Sequence, residues 1–194
     1  MKFIKHLAIT LPTVIAASFL LSACGGGSSS SGNSSTSIKG DAATEAASKL
    51  ESTCGLPNFN ADMLARVNAV RAAGAVCGGE VMPPVGKVAW NEQLKNAATV
   101  QVLDMSTTGV QSHTGSNGST AVSRAQAAGY ASTYVGESIA SGYGDAEAVM
   151  AGWMGSPPHC KGMMNAPFEE IGVSCMQHVS GKKYFAISLG SRNQ

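Results

Sequence analysis

Apolar and polar positions divide this 194-residue chain into three stretches of different character. Leu7 to Leu21 is mostly apolar, broken by Thr10, Pro12 and Thr13, and follows a basic start at Lys2 and Lys5. Fifteen residues of helix span roughly 22 Å, short of the ~30 Å hydrocarbon core of a bilayer. The run therefore reads as the apolar region of an export signal, residues 1–23, and not as a transmembrane helix. Gly25 to Ser35 contains only Gly, Ser and Asn and has nothing apolar to bury. It reads as a flexible tether, residues 24–53, with a coil reach of roughly 30 Å. Ala42 to Leu50 could form a short helix outside the core. From Cys54 to Gln194 the periodicity becomes that of a folded domain of about 140 residues, large enough for its own core.

Within that domain, Asn60 is placed to cap a helix carrying Met63, Leu64, Val67 and Val70 on one face and ending at Gly74. Lys87 to Trp90 reads as a short strand. Asn91 caps a second helix running through Leu94, Ala98 and Met105 to Gly109, with Glu92 favourably placed in its first turn. A third helix covers Ser119 to Ala128. Asp145 starts a fourth, on which Val149 and Trp153 share one face and Met150 and Met154 a neighbouring one. Ile171 to Cys175 and Phe185 to Leu189 alternate with period two, with Ser180-Gly181 in the connection between them. Helices combined with a small, mainly antiparallel sheet imply a layered α/β sandwich.

Charge and cysteine usage narrow the setting. Without Lys2 and Lys5, the 13 Lys and Arg fall to 11 against 12 Asp and Glu. Such a balance excludes the basic face that a nucleic-acid partner requires. Leu21-Ser22-Ala23-Cys24 resembles the lipobox of bacterial lipoproteins, which are cleaved before the Cys and lipidated on it. Removing Cys24 leaves an even four cysteines, as an oxidising compartment favours. Gly25 stands where an inner-membrane retention signal usually places Asp, so an outer-membrane anchor is expected over an inner-membrane one. Sequence proximity favours the pairs Cys54–Cys77 and Cys160–Cys175. The rival, a Cys₄ metal site, has no CxxC pair to support it.

Candidate chemistry lies in Ser112-His113-Thr114-Gly115, in Gly136-Glu137-Ser138-Ile139-Ala140, in Ser156-Pro157-Pro158-His159 and in Phe168-Glu169-Glu170-Ile171-Gly172-Val173. Taken singly, each residue has a structural reading: a loop His as a hydrogen-bonder, a Gly-flanked Glu as a backbone cap. Together with Val67-Asn68-Ala69-Val70-Arg71, Val88-Ala89-Trp90-Asn91, Gly129-Tyr130 and Gly152-Trp153-Met154, these segments make Met63 to Gly190 resemble the CAP superfamily, in its bacterial SCP-like branch. The resemblance implies an α-β-α sandwich whose small, mainly antiparallel sheet is flanked by helices. It also implies a cleft lined by His113, Glu137, His159 and Glu170. Ser138 replaces the common Asn and Pro158 the common Gly. Ser156 lies near the position where animal and plant members carry a helical acid, and Glu170 near their strand His.

Two imidazoles and a carboxylate, His113, His159 and Glu137, would suit Zn²⁺ or another divalent metal. Three functions are compatible with the sequence. One is a membrane-anchored extracytoplasmic binding module taking a metal or a small apolar or lipid ligand. The second is a metal-assisted hydrolase using His113, His159 and Glu137. The third is an envelope protein that meets a host or matrix partner. There is no GxSxG elbow, HExxH or P-loop, so no nucleophile motif supports an enzyme assignment. The oligomeric state is not encoded in any motif.

Overall fold

The computed structural model describes residues 52–192. The proposed signal, the lipidated Cys24, the short helix considered for Ala42 to Leu50 and most of the tether lie outside the described residues. The elements run α1 (Phe59–Ala73), β1 (Ala75–Cys77), β2 (Glu80–Met82), β3 (Ala89–Trp90), α2 (Glu92–Thr108) and α3 (Ala121–Ala127). After them come β4 (Val135–Ser141), α4 (Ala146–Gly155), α5 (Pro157–Met163), β5 (Glu170–Gln177) and β6 (Lys183–Gly190). Four strands form one sheet in the order β3-β5-β6-β4, with β3 parallel to β5 and the other pairs antiparallel. β1 and β2 make a separate hairpin.

The sheet is covered on both faces. Phe59, Met63 and Val67 of α1 and Val149, Met150 and Trp153 of α4 pack with Ile171, Val173, Phe185, Ile187 and Leu189. On the other face, Ala98, Val102 and Met105 of α2 meet Ile139, Tyr184 and Ala186. Alternation along β5 and β6 thus feeds two cores, the arrangement expected for a sheet between helical layers. Gly172 sets how close α2 can come, since a Cβ there would sit 1.9 Å from the backbone N of Lys95.

One buried cation ties the helical layer to the loop before β5. Arg71 of α1 is fully buried. It donates to the carbonyls of Gly86, Met163, Asn165 and Phe168 at 2.6–3.0 Å. Burial lowers its pKa without a carboxylate partner to oppose the shift.

Several local expectations need correction. α1 is preceded by Asn58 in a left-handed conformation that makes no side-chain cap bond, and Asn60 lies inside the helix. The apolar Phe59, buried against Phe185, fixes where the helix begins. β3 retains only Ala89 and Trp90 of the expected strand, and α3 starts two residues late, behind a Thr120–Ser123 capping box. Val135–Ser141, which carries no strand signal in the sequence, is an outer strand. The fold already includes Ser52 and Thr53: Ser52 is buried and Thr53 bridges Cys175.

The disulfides are Cys54–Cys175 and Cys77–Cys160, not the pairs favoured by proximity. Short loops close at least entropic cost, but register decides here. The Cys54 N–H donates to the Cys175 carbonyl at 3.2 Å. The β1–β2 hairpin packs against α5, with Cys77, Cys160 and Met164 in one cluster. Chain separations of 121 and 83 residues make each link worth roughly 4.5–5 kcal/mol in the chain-entropy account.

Candidate functional site

The site is assembled by a loop, a short helix and an outer strand. Asn91 caps α2 by accepting from the N–H groups of Gln93 and Leu94, and α2 then runs beneath the loop that carries His113. Two polar side chains of α2 hold that loop. Buried Gln101 donates through Nε2 to the Ser112 carbonyl, and Asp104 accepts from the Ser116 backbone N–H at 3.1 Å. From the sheet, the Tyr184 hydroxyl donates to the Gly109 carbonyl at 2.9 Å.

Glu137 extends from β4 opposite Ser188. Its side chain is only 3% exposed, yet neither oxygen is idle. Arg124 of α3, itself 2% exposed, donates through Nη2 to Oε2 at 2.6 Å. Oε1 lies 2.9 Å from Nδ1 of His113, whose side chain is 58% exposed. Arg124 also donates to the carbonyls of His113 and Ser119 at 3.1 and 2.9 Å, so one guanidinium holds both the carboxylate and the loop.

This geometry fixes the imidazole. A carboxylate only accepts, so Nδ1 of His113 carries a proton in this contact, and Nε2 is the ring nitrogen it leaves for an outside partner. A buried Arg behind a buried Glu behind an exposed His is a stack that orients one ring. Arg124 was not read from the sequence as a site residue. Its only signal there is a charge alone in the otherwise uncharged helix Ala121–Ala127.

His159 sits on α5, which opens with Pro157-Pro158 at positions that tolerate proline. Cys160 links it to β1, and Arg71 holds the Met163 carbonyl at its end. The ring is half-buried, and its pKa is lowered first by burial and then by the charge of nearby His113. His159 is therefore a neutral imidazole at neutral pH.

Glu170 lies elsewhere. Its side chain is 6% exposed and accepts from Asn91 Nδ2 at 3.1 Å, the Tyr130 hydroxyl at 3.0 Å and Arg192 Nη2 at 2.7 Å. Burial alone would raise its pKa, but the hydrogen bonds from Asn91, Arg192 and Tyr130 outweigh that and lower it. Burial and the same contact raise the pKa of Tyr130 well above its usual value. Glu170 thus clamps the start of α2 to β5, with no contact to His113, Glu137 or His159. The remaining histidine of the domain, His178, is in the β5–β6 turn, bonded to Ser180.

The expected three-ligand metal set does not fit this arrangement. Both Glu137 oxygens are engaged, and among the described residues no group of three or more His, Cys, Asp or Glu is placed to hold an ion. Glu137 stands behind His113 as its orienting partner, and the groups left for an outside ligand are the two imidazoles.

A profile of the cysteine-rich secretory protein family, CAP, matches residues 64–188. No curated protein sequence matches the chain. An extracellular protein containing an SCP domain from Bacillus anthracis superposes with a TM-score of 0.59 at 20% identity, covering 71% of this chain and 41% of that one. The chain thus spans less than half the length of that neighbour. An outer surface protein from Borrelia burgdorferi gives a TM-score of 0.57 at 17% identity, covering 69% of this chain and 92% of that one. NaASP2, solved with Zn²⁺, gives 0.51 at 14% identity, covering 69% and 80%. At these identities the likeness is one of fold. The α-β-α architecture and a profile match spanning most of the described residues agree: the chain belongs to the cysteine-rich secretory protein (CAP) family.

Proposed function

We propose that the chain is an exported, lipid-anchored CAP-domain binding module whose recognition centre is the His113/His159 pair. Export and anchoring are supported by the signal-like start, the lipobox-like Leu21 to Cys24 and the paired cysteines. The extracellular and outer-surface neighbours of the same fold point the same way. No described helix is long and apolar enough to cross a membrane.

The observation that carries the reading is the ion pair behind His113. Arg124 and Glu137 are buried at 2.6 Å while the imidazole they orient is 58% exposed. Burying a charged pair is costly, and it rarely stabilises more than an apolar pair of the same size would. A fold that does so to aim one solvent-facing ring has a recognition role for that ring. His113 Nε2 and the neutral His159 ring offer two lone pairs to a small ligand with hydrogen-bond donors, or to a divalent cation completed by solvent. A small ligand with an apolar or lipid portion remains within this reading.

The test is titration calorimetry with Zn²⁺ on the purified wild-type chain and on a His113→Ala/His159→Ala variant. Native mass spectrometry of both, as exported, covers an organic ligand. Loss of the bound species in the double variant is expected. The same occupancy in both proteins would remove the site.

A further inference from the structure

We propose that the β5–β6 turn end of the sheet is a membrane-contacting surface for an anionic bilayer, with Val179 as its inserting tip. The inference rests on the tethered reading above. The chain joins the fold at this end: the Cys54 N–H donates to the Cys175 carbonyl, Thr53 bridges Cys175, and the disulfide Cys54–Cys175 locks the join to β5. An anchor at the amino terminus would therefore be tethered to the domain at this end.

The surface there suits a bilayer interface. Val179 is 98% exposed at the tip of the turn, and Leu103 of α2 is half-exposed beside it. Between them runs an open groove of about 800 Å³ whose lining includes Cys54, Leu103, Thr107, Met176, His178 and Val179. The charge is of one sign along the turn. From Ile171 to Gln194 the sequence has no Asp or Glu, and Lys182 and Lys183 follow the turn directly. Lys182 lies over the Tyr184 ring at 5.0 Å, and Lys183 donates to the Gly144 carbonyl. Asp104 on α2 is engaged by Ser116, and Asp145, which follows the Gly144 that Lys183 reaches, accepts from the Ala148 N–H at the start of α4. An apolar tip flanked by lysines is the composition that settles into an anionic interface.

Glu137 of the recognition centre lies farther along the sheet from the turn. Glu137 pairs with Ser188, and from Lys183 to Ser188 β6 climbs about 17 Å at ~3.4 Å per residue.

The test uses the full processed chain on vesicles containing phosphatidylglycerol and brominated phosphatidylcholine. Tryptophan is placed at the tip, Val179→Trp, or at the exposed Ala131 near the far end, Ala131→Trp. Loss of emission in Val179→Trp, with Ala131→Trp unchanged from the wild type, is the expected result. Adding Lys182→Glu should reduce that quenching. Equal quenching at both positions, or none at Val179, overturns the proposal, as does a chain that does not float with the vesicles. The acylation of Cys24 is read separately by mass. A chain acylated and floated but unquenched at Val179 sinks this surface alone and leaves the anchor standing.

Discussion

Glu137 and Glu170 project from strands of one sheet, both with side chains almost fully buried and both paired to an arginine. They nevertheless serve opposite ends. At Glu170 both oxygens are bonded by the domain's own groups, Asn91 and Arg192 on Oε1 and Tyr130 on Oε2, so the carboxylate closes a joint. At Glu137 the buried Arg124 takes one oxygen and leaves the other for a ring that faces solvent. A buried carboxylate is thus a structural clamp or a site component according to where its last hydrogen-bond partner points. Residue type and burial do not distinguish the two.

The comparison breaks most sharply at Arg124. Arg124→Met strands a buried carboxylate and is expected to destabilise the domain by about 3–5 kcal/mol in urea unfolding. At the closed joint, Tyr130→Phe removes one donor among three. It should cost about 1.5 kcal/mol and leave ligand binding at His113 unchanged by calorimetry. His113→Ala should reverse that pattern. Its exposed ring contributes little to stability, about 0.5 kcal/mol or less, yet its removal should abolish binding.

The smallest effects are in pH. The folded pKa of Glu170 is depressed, so its contribution is present above the ordinary carboxyl value of 4.5 and lost as pH falls through the lower folded value. Glu170→Gln should flatten that acidic limb of the stability profile. His159 is also depressed, so stability should be full above 6.5 and decline as pH falls below it, and His159→Gln should lessen that decline.

Much of this was legible in the chain. Asn91 and Asp145 announce their helices because a side-chain cap is a local device, and both caps form. Period-two alternation revealed β5 and β6, which pair over Glu170–Gln177 and Lys183–Gly190. β4 was hidden because Gly136, Ser138 and Ala140 face the core with little bulk. Gly136 is small for a reason no local rule shows: a Cβ there would lie 2.6 Å from the Phe168 ring. The disulfides misled because proximity speaks for the unfolded chain, whereas the pairing follows the register of residues 52–54 on β5. At the site, the loop histidines and Glu137 stood out by type and context. Arg124 did not, since its role depends on α3 lying against β4. Glu170 matched a motif, but only its three donors reveal a clamp.

The central claim is that Arg124 and Glu137 fix the His113 ring with its proton on Nδ1 and Nε2 open to a ligand. Long-range ¹H–¹⁵N correlation spectra of the folded chain at neutral pH report the tautomer directly. The account predicts a protonated Nδ1 and an unprotonated Nε2 at His113, with the tautomer preference weakened in Glu137→Gln. A ring protonated on Nε2, unaffected by Glu137→Gln, would contradict it.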